Sequence, residues 1–290
     1  MDEKIPGDLH AGLSGYSLNP NSYDLGEGIT LSPTYAHLMA HFMMAFAQPP
    51  EPGMHHPGPW KACQSGFFFN VTADLSVPLA HLDSLEIAQT IVFLLRLWVN
   101  PATRLAALSS HPFALINDMP DNQATVTVFE ILPREFPLSA PYPNTETETL
   151  DWVKQRWRLT HKLKLESSEF ALAVAAIDAG QFLENTALTI LSLWSALEAL
   201  FSPSTSELRF RVSALIAAFL EPPGESRLAV QKHVAALYDK RSAAAHGLPR
   251  HDRNDVLDTS NLLRHVALMI IDNKKVPTKR ELEAKLFGET

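Results

Sequence analysis

Strand patterns stop at about residue 150 and do not return, and this break constrains the fold more than any other feature. Upstream, "SGFFFNVTADLSVP" (65–78) and "ATVTVFEIL" (124–132) are rich in aromatic and β-branched residues and read as strands. "LSGYSLNPNSYDLGEGITLSPT" (13–34) reads as short extended pieces joined by Asn-Pro, Gly and Ser-Pro turns. "SLEIAQTIVFLLRLWV" (84–99) has helical length and spacing, with Asp83 or Ser84 placed to cap it. "MAFAQPPEPGMHHPGPW" (44–60), with five prolines, reads as a loop. Downstream, helices are predicted over 150–180 with a break near Ser167, over 181–201, and over 208–220 up to Pro222-Pro223-Gly224. Two more are predicted over 226–247, closed by Gly247 with Pro249 beyond, and over 254–272. "EFPLSAPYPNTETET" (135–149) reads as a linker. The predicted fold is an α+β N-terminal domain over 1–148 followed by an all-α helical bundle over 149–290.

A 290-residue chain that is 46% hydrophobic and 19% charged can bury real cores and is not a disordered polymer. A single cysteine, Cys63, excludes an intrachain disulfide framework and a cysteine-cluster zinc site, and suits a reducing cytosol. The acidic N-terminus has no apolar stretch of the signal-peptide kind. The most apolar window, "IVFLLRLWV" (91–99), contains Arg96 and falls well short of the roughly 20 apolar residues of a bilayer span. A cytoplasmic protein without a membrane partner is expected. Charge is uneven: residues 1–150 hold five Lys/Arg against fifteen Asp/Glu, and residues 151–290 nineteen against seventeen. The acidic half would repel a polyanion. The near-balanced half can hold a local basic site but is no broad nucleic-acid platform.

The segment "YDKRSAAAHG" (238–247) concentrates the chemistry. Thirteen arginines and twelve histidines make Arg–His pairs with four to six residues between them common by chance, and Arg104/His111, Arg156/His161 and Arg227/His233 read as ordinary surface pairs. Arg241 and His246 differ in context. His246 falls in the last turn of its helix, where the negative end of the dipole favours an imidazolium, and histidine exchanges protons near neutral pH. Arg241 brings a permanent charge and a planar fork suited to phosphate oxygens. Five helical residues separate the two side chains by about 140° around the axis. They converge only if the helix end loosens or a second copy supplies the matching groups. A simple dipole-complementing role stays open on these residues alone. Glu198, on the apolar helix "SLWSALEALF", needs a cationic partner, with Arg209, Arg211 and Arg241 the candidates. "MHHPG" (54–58) makes a poor metal site, no phosphate-binding glycine pattern occurs, and Trp152 and Trp157 read as packing residues between domains. No cofactor or metal is expected. An enzyme within the N-terminal domain would require a pocket lined with titratable side chains, and no motif points to one.

"LWSALEALFSPSTSELRFRVSALIAAFL" followed by "LYDKRSAAAHG" resembles the HEPN superfamily, in particular its Apea-like branch, over roughly residues 181–272. The matching residues are Trp194, Leu197, Glu198 and Leu200, then Arg209 and Arg211, then Tyr238, Arg241, Ser242, His246 and Gly247. The resemblance implies a HEPN-like helical bundle that forms a homodimer with two Arg–His pairs facing one cleft. It further implies a metal-independent endoribonuclease of a prokaryotic defence or toxin–antitoxin system, with an antitoxin or other defence protein as partner. His246 would then be the acid–base group and Arg241 would stabilise charge on the scissile phosphate, supported by Ser242, Glu198 and Tyr238. Arg209, Arg211 and Lys240 would bind RNA. The family also has non-catalytic members, so a module that only binds RNA or a partner protein is the alternative.

Overall fold

The computed structural model of the chain describes residues 8–18, 21–81, 83–132, 146–201, 208–248 and 251–288. The chain forms two compact units. The first runs to Ala88 and includes Thr103–Ile131; the second joins Gln89–Ala102 to everything from Leu132 onward. An antiparallel-sheet region thus precedes a run of helices, as the break in pattern predicts. The division is not a single cut near residue 148, because Gln89–Ala102 belongs with the helices.

The first unit is one antiparallel sheet. Its strands are β1 (Asp8–Ser14), β2 (Tyr23–Gly26), β3 (Ile29–Ala45), β4 (Trp60–Pro78), β5 (Arg104–Ser109) and β6 (Val126–Val128), in the order β2-β3-β4-β1-β5-β6. The turn from β2 to β3 is the two-residue loop Glu27-Gly28, both at positive φ (55° and 79°), the geometry whose twist matches a hairpin. Val71, Ala73, Leu75 and Val77 alternate along β4 and are fully buried. Phe69, Val71, Ala106, Ala107 and Phe113 form a core cluster, and Phe113 lies so close over Gly12 that an added Cβ would stand 2.7 Å from its ring. His10 and Asp74, both buried, meet at 3.1 Å, and the second Asp74 oxygen accepts the Phe113 N–H at 3.0 Å. This pair ties β1 to β4 and to the loop after β5. β5 and most of β3 were not predicted, and β6 is shorter than the strand expected over 124–132. The proline-rich loop lies between Ala45 and Trp60, as expected.

The second unit holds α2 (Glu146–Glu166), α3 (Ser168–Gly180), α4 (Thr186–Phe201), α5 (Leu208–Leu220), α6 (Glu225–Ala245), α7 (Arg253–Asp272) and α8 (Lys279–Phe287). The break predicted near Ser167 is real: the Ser167 hydroxyl caps α3 by accepting the Phe170 N–H at 3.2 Å. α4 begins at Thr186 rather than 181, after a turn in which the Asn185 side chain accepts the Leu188 N–H. α2 starts at Glu146, so the last residues of the expected linker are helical; residues 133–145 lie outside the described residues. α8 was not anticipated, although Thr278 and Glu281 form the capping box that announces it.

The predicted helix over 84–99 is α1 (Ser84–Leu94) continued by a π-helical turn, Leu95–Val99. That turn is clasped by the bundle. Arg96, 3% exposed at its side chain, pairs with Asp178 of α3 at 2.6 Å. Arg264 of α7 donates two hydrogen bonds to the Leu97 carbonyl. Trp98 stacks on Trp152 of α2 with ring centroids 4.7 Å apart, so Trp152 packs inside the helical unit rather than between domains. Among the described residues no helix is long and apolar enough to cross a membrane.

Candidate functional site

The last turn of α6 is fixed by its own backbone. Gly247 adopts φ 67°, the Leu248 N–H reaches the Ala243 carbonyl at 2.9 Å, and the Gly247 N–H reaches Ala244 at 3.2 Å. This is the Schellman arrangement, and it makes His246 the C-cap. Of the three alanines that precede it, Ala243 and Ala244 are buried where the helix packs closely, and Ala245 is exposed. Pro249 lies outside the described residues. The His246 side chain is exposed and has no hydrogen-bond partner among the described residues.

Arg241 turns the other way. Its Nη2 donates to Glu198 Oε2 at 3.2 Å, and its Nε stands 3.1 Å from Oε1, near enough for an ion pair but out of line for a second hydrogen bond. The side chains are 27% and 19% exposed, so the pair sits at the wet edge of the α4–α6 seam. Of the three arginines available to Glu198, Arg241 is the one it takes. Tyr238, one turn earlier on α6, is buried; the Arg241 guanidinium lies 5.6 Å from its ring centre and the Trp194 ring meets it edge-on at 5.1 Å. Burial first, and then the charge of Glu198, push the Tyr238 hydroxyl above its ordinary range, with Arg241 opposing. Glu198, Tyr238, Arg241 and Trp194 therefore form one cluster. The Trp194 indole nitrogen is buried there without a hydrogen-bond partner among the described residues.

The other expected cations are paired as well. Arg209 holds Asp239 through two hydrogen bonds of 2.7 and 2.8 Å, both side chains about half exposed. That contact raises Arg209 and lowers Asp239 from their ordinary values. Lys240 holds Asp255 at the start of α7, at 3.1 Å. Asp239, Lys240 and Arg241 are consecutive, so three ion pairs radiate from one turn of α6. Arg211 is exposed and Ser242 half-buried. The carboxylates of Asp239 and Asp255 were not foreseen, because their partners lie on other helices.

α6 stays α-helical through Ala245, so the end does not loosen between Arg241 and His246. Within one chain the two groups point about 140° apart. The route to convergence through a loosened helix end is therefore closed. His251, next to the Asp252 cap of α7, was also missed; its Nδ1 is buried without a partner among the described residues. A cavity of about 330 Å³ between α4, α5 and α8 is lined by residues such as Leu200, Leu215 and Leu282, and neither Arg241 nor His246 reaches it. Among the described residues no group of three or more His, Cys, Asp or Glu side chains could hold a metal ion.

No family model, curated protein or solved structure matches the chain.

Proposed function

We propose that the protein is a HEPN-type, metal-independent endoribonuclease of a prokaryotic defence or toxin–antitoxin system, acting in the cytoplasm as a homodimer. The observation that supports this reading is His246. It is an exposed imidazole without a hydrogen-bond partner among the described residues, set on a helix end that its backbone holds rigid. A proton-transfer group needs this combination of access and fixed position. In the proposed reaction His246 takes the proton from an RNA 2′-hydroxyl, and the 2′-oxygen attacks the neighbouring phosphorus. The bond from phosphorus to the 5′-oxygen then breaks and that oxygen takes the proton back from the His246 imidazolium, leaving a 2′,3′-cyclic phosphate and a 5′-hydroxyl. Arg241 of the other chain stabilises the charge that builds on the phosphate. Its hydrogen bond to Glu198 uses one Nη2 hydrogen, so the two Nη1 hydrogens stay available for phosphate oxygens.

His246→Ala is expected to reduce RNA cleavage by about 10² to 10⁴-fold, the usual contribution of a positioned acid–base group. Because the side chain is exposed, the thermal midpoint should stay within a degree of wild type. Unchanged cleavage of a labelled RNA by this variant would remove the nuclease reading.

One observation favours a second reading, a non-catalytic module that binds RNA or a partner protein. Arg209, Lys240 and Arg241 are each matched to a carboxylate, so the surface around α6 offers little net positive charge to a polyanion. On that reading His246→Ala leaves partner binding and stability alike untouched.

A further inference from the structure

Residues 36–45 of β3 and 60–71 of β4 continue past the rest of the sheet. β2 covers β3 only at Ile29–Leu31, and β1 covers β4 only from Ala73 to Pro78. Beyond those points, among the described residues, the two strands pair only with each other. An isolated two-stranded ribbon is marginal in water, and a strand edge without a neighbour presents a row of unpaired N–H and C=O groups.

This ribbon is apolar on its surface. Met39, Met43, Trp60 and Phe68 on the ribbon, and Tyr35 and Phe46 at the two ends of its first strand, are each between 49% and 71% exposed. Met39 and Met43 lie an even number of residues apart on β3, Phe68 pairs across from Met39, and Trp60 pairs across from Ala45. A register shift between Met39 and His41 separates these two pairings, so the exposed side chains come from both segments of the ribbon. At about 200 Å² for a fully exposed large side chain, these six present roughly 700 Å², above the largest patch of a typical monomer. That is close to the about 800 Å² per partner of a standard protein interface. Residues 35–71 contain only two formally charged side chains, Glu51 and Lys61, within a half of the chain that is otherwise strongly acidic.

From this we infer that the β3–β4 ribbon is a self-association arm that pairs with the same ribbon of a second copy of this chain. A two-fold contact must be complementary to itself. A nearly charge-free apolar face beside an open strand edge meets that condition. A fixed-charge surface does not, since it would meet its own sign. Packing the apolar faces of two copies against each other covers both of them and braces two ribbons that are marginal alone. The inference uses only the first unit and stands independently of the proposed nuclease.

Sedimentation equilibrium of the full chain across a concentration series tests it, comparing wild type with the Met39→Glu, Phe68→Glu double variant. The variant is expected to lose one association step, with a dissociation constant raised at least 10-fold. At concentrations low enough for both proteins to be monomeric its melting curve should be unchanged, since both side chains are exposed. Any dimer made by the helical unit persists in it, which separates the two interfaces. If the double variant unfolds, Met43→Lys with Trp60→Lys carries the same comparison. Identical association in wild type and folded variants overturns the inference. So does a wild-type chain that stays monomeric and floats with phosphatidylcholine vesicles, which would make the arm a lipid contact.

Discussion

A fragment beginning at residue 149 will not hold a native bundle, even though it includes α3 to α8 and all but the first three residues of α2. Val92, Phe93, Leu94, Leu95 and Leu97 are at most 1% exposed, and the segment that carries them belongs with the helices. Removing five such side chains forfeits about 10 kcal/mol at roughly 2 kcal/mol each, as much as the whole stability of an ordinary domain. The fragment also leaves polar debts. Asp178 loses Arg96, and the buried Arg264 guanidinium loses the Leu97 carbonyl. Circular dichroism should show a broad, non-cooperative melt for residues 149–290, with a sharp transition restored by adding a peptide of residues 84–102. A sharp transition without the peptide would show that the segment is dispensable.

The second large effect is expected at Glu198. Glu198→Gln keeps the shape and removes the charge, leaving Arg241 at the α4–α6 seam with a neutral partner. For a pair about one-fifth to one-quarter exposed, the cost is about 1–2 kcal/mol, below that of a fully buried pair. In a chain of this size that lowers the melting midpoint by about 2–8 °C. The same change lowers the Tyr238 pKa, because the Glu198 charge is one of the causes that raise it and Arg241 remains to pull it down. Alkaline titration followed by tyrosinate absorbance reads this as one of the five tyrosines ionising earlier. A melting midpoint and a titration both equal to wild type would mean the ion pair does not hold in solution.

The parts of this structure that were legible in the sequence are those decided within a few residues. Ser167 divides α2 from α3, Pro222-Pro223-Gly224 ends α5, and Gly247 ends α6 through backbone bonds to carbonyls at most five positions back. Glu198 was legible as a carboxylate in need of a cation, because an unpaired charge on an apolar helix is costly. What stayed hidden depends on distant partners. Arg96 and Asp178 are 82 residues apart, and Leu97 and Arg264 167 apart, so nothing local marks 89–102 as part of the bundle. "RLAALS" became β5 only because β1 and β6 flank it; its apolar run carries no period of its own. The cations near Arg241 read as a binding surface in sequence, and folding gave Arg209 and Lys240 carboxylates from other helices.

On the proposed reading, Arg241 of one chain and His246 of another make one working site. Mixing the Arg241→Ala and His246→Ala proteins, each inactive alone, under conditions that exchange subunits tests it most directly. A shared site predicts that RNA cleavage returns in the mixture, because mixed dimers again hold one intact arginine and one intact histidine in a single cleft. If mixed dimers form and cleavage stays at the level of the separate variants, the two residues do not act together across the chains.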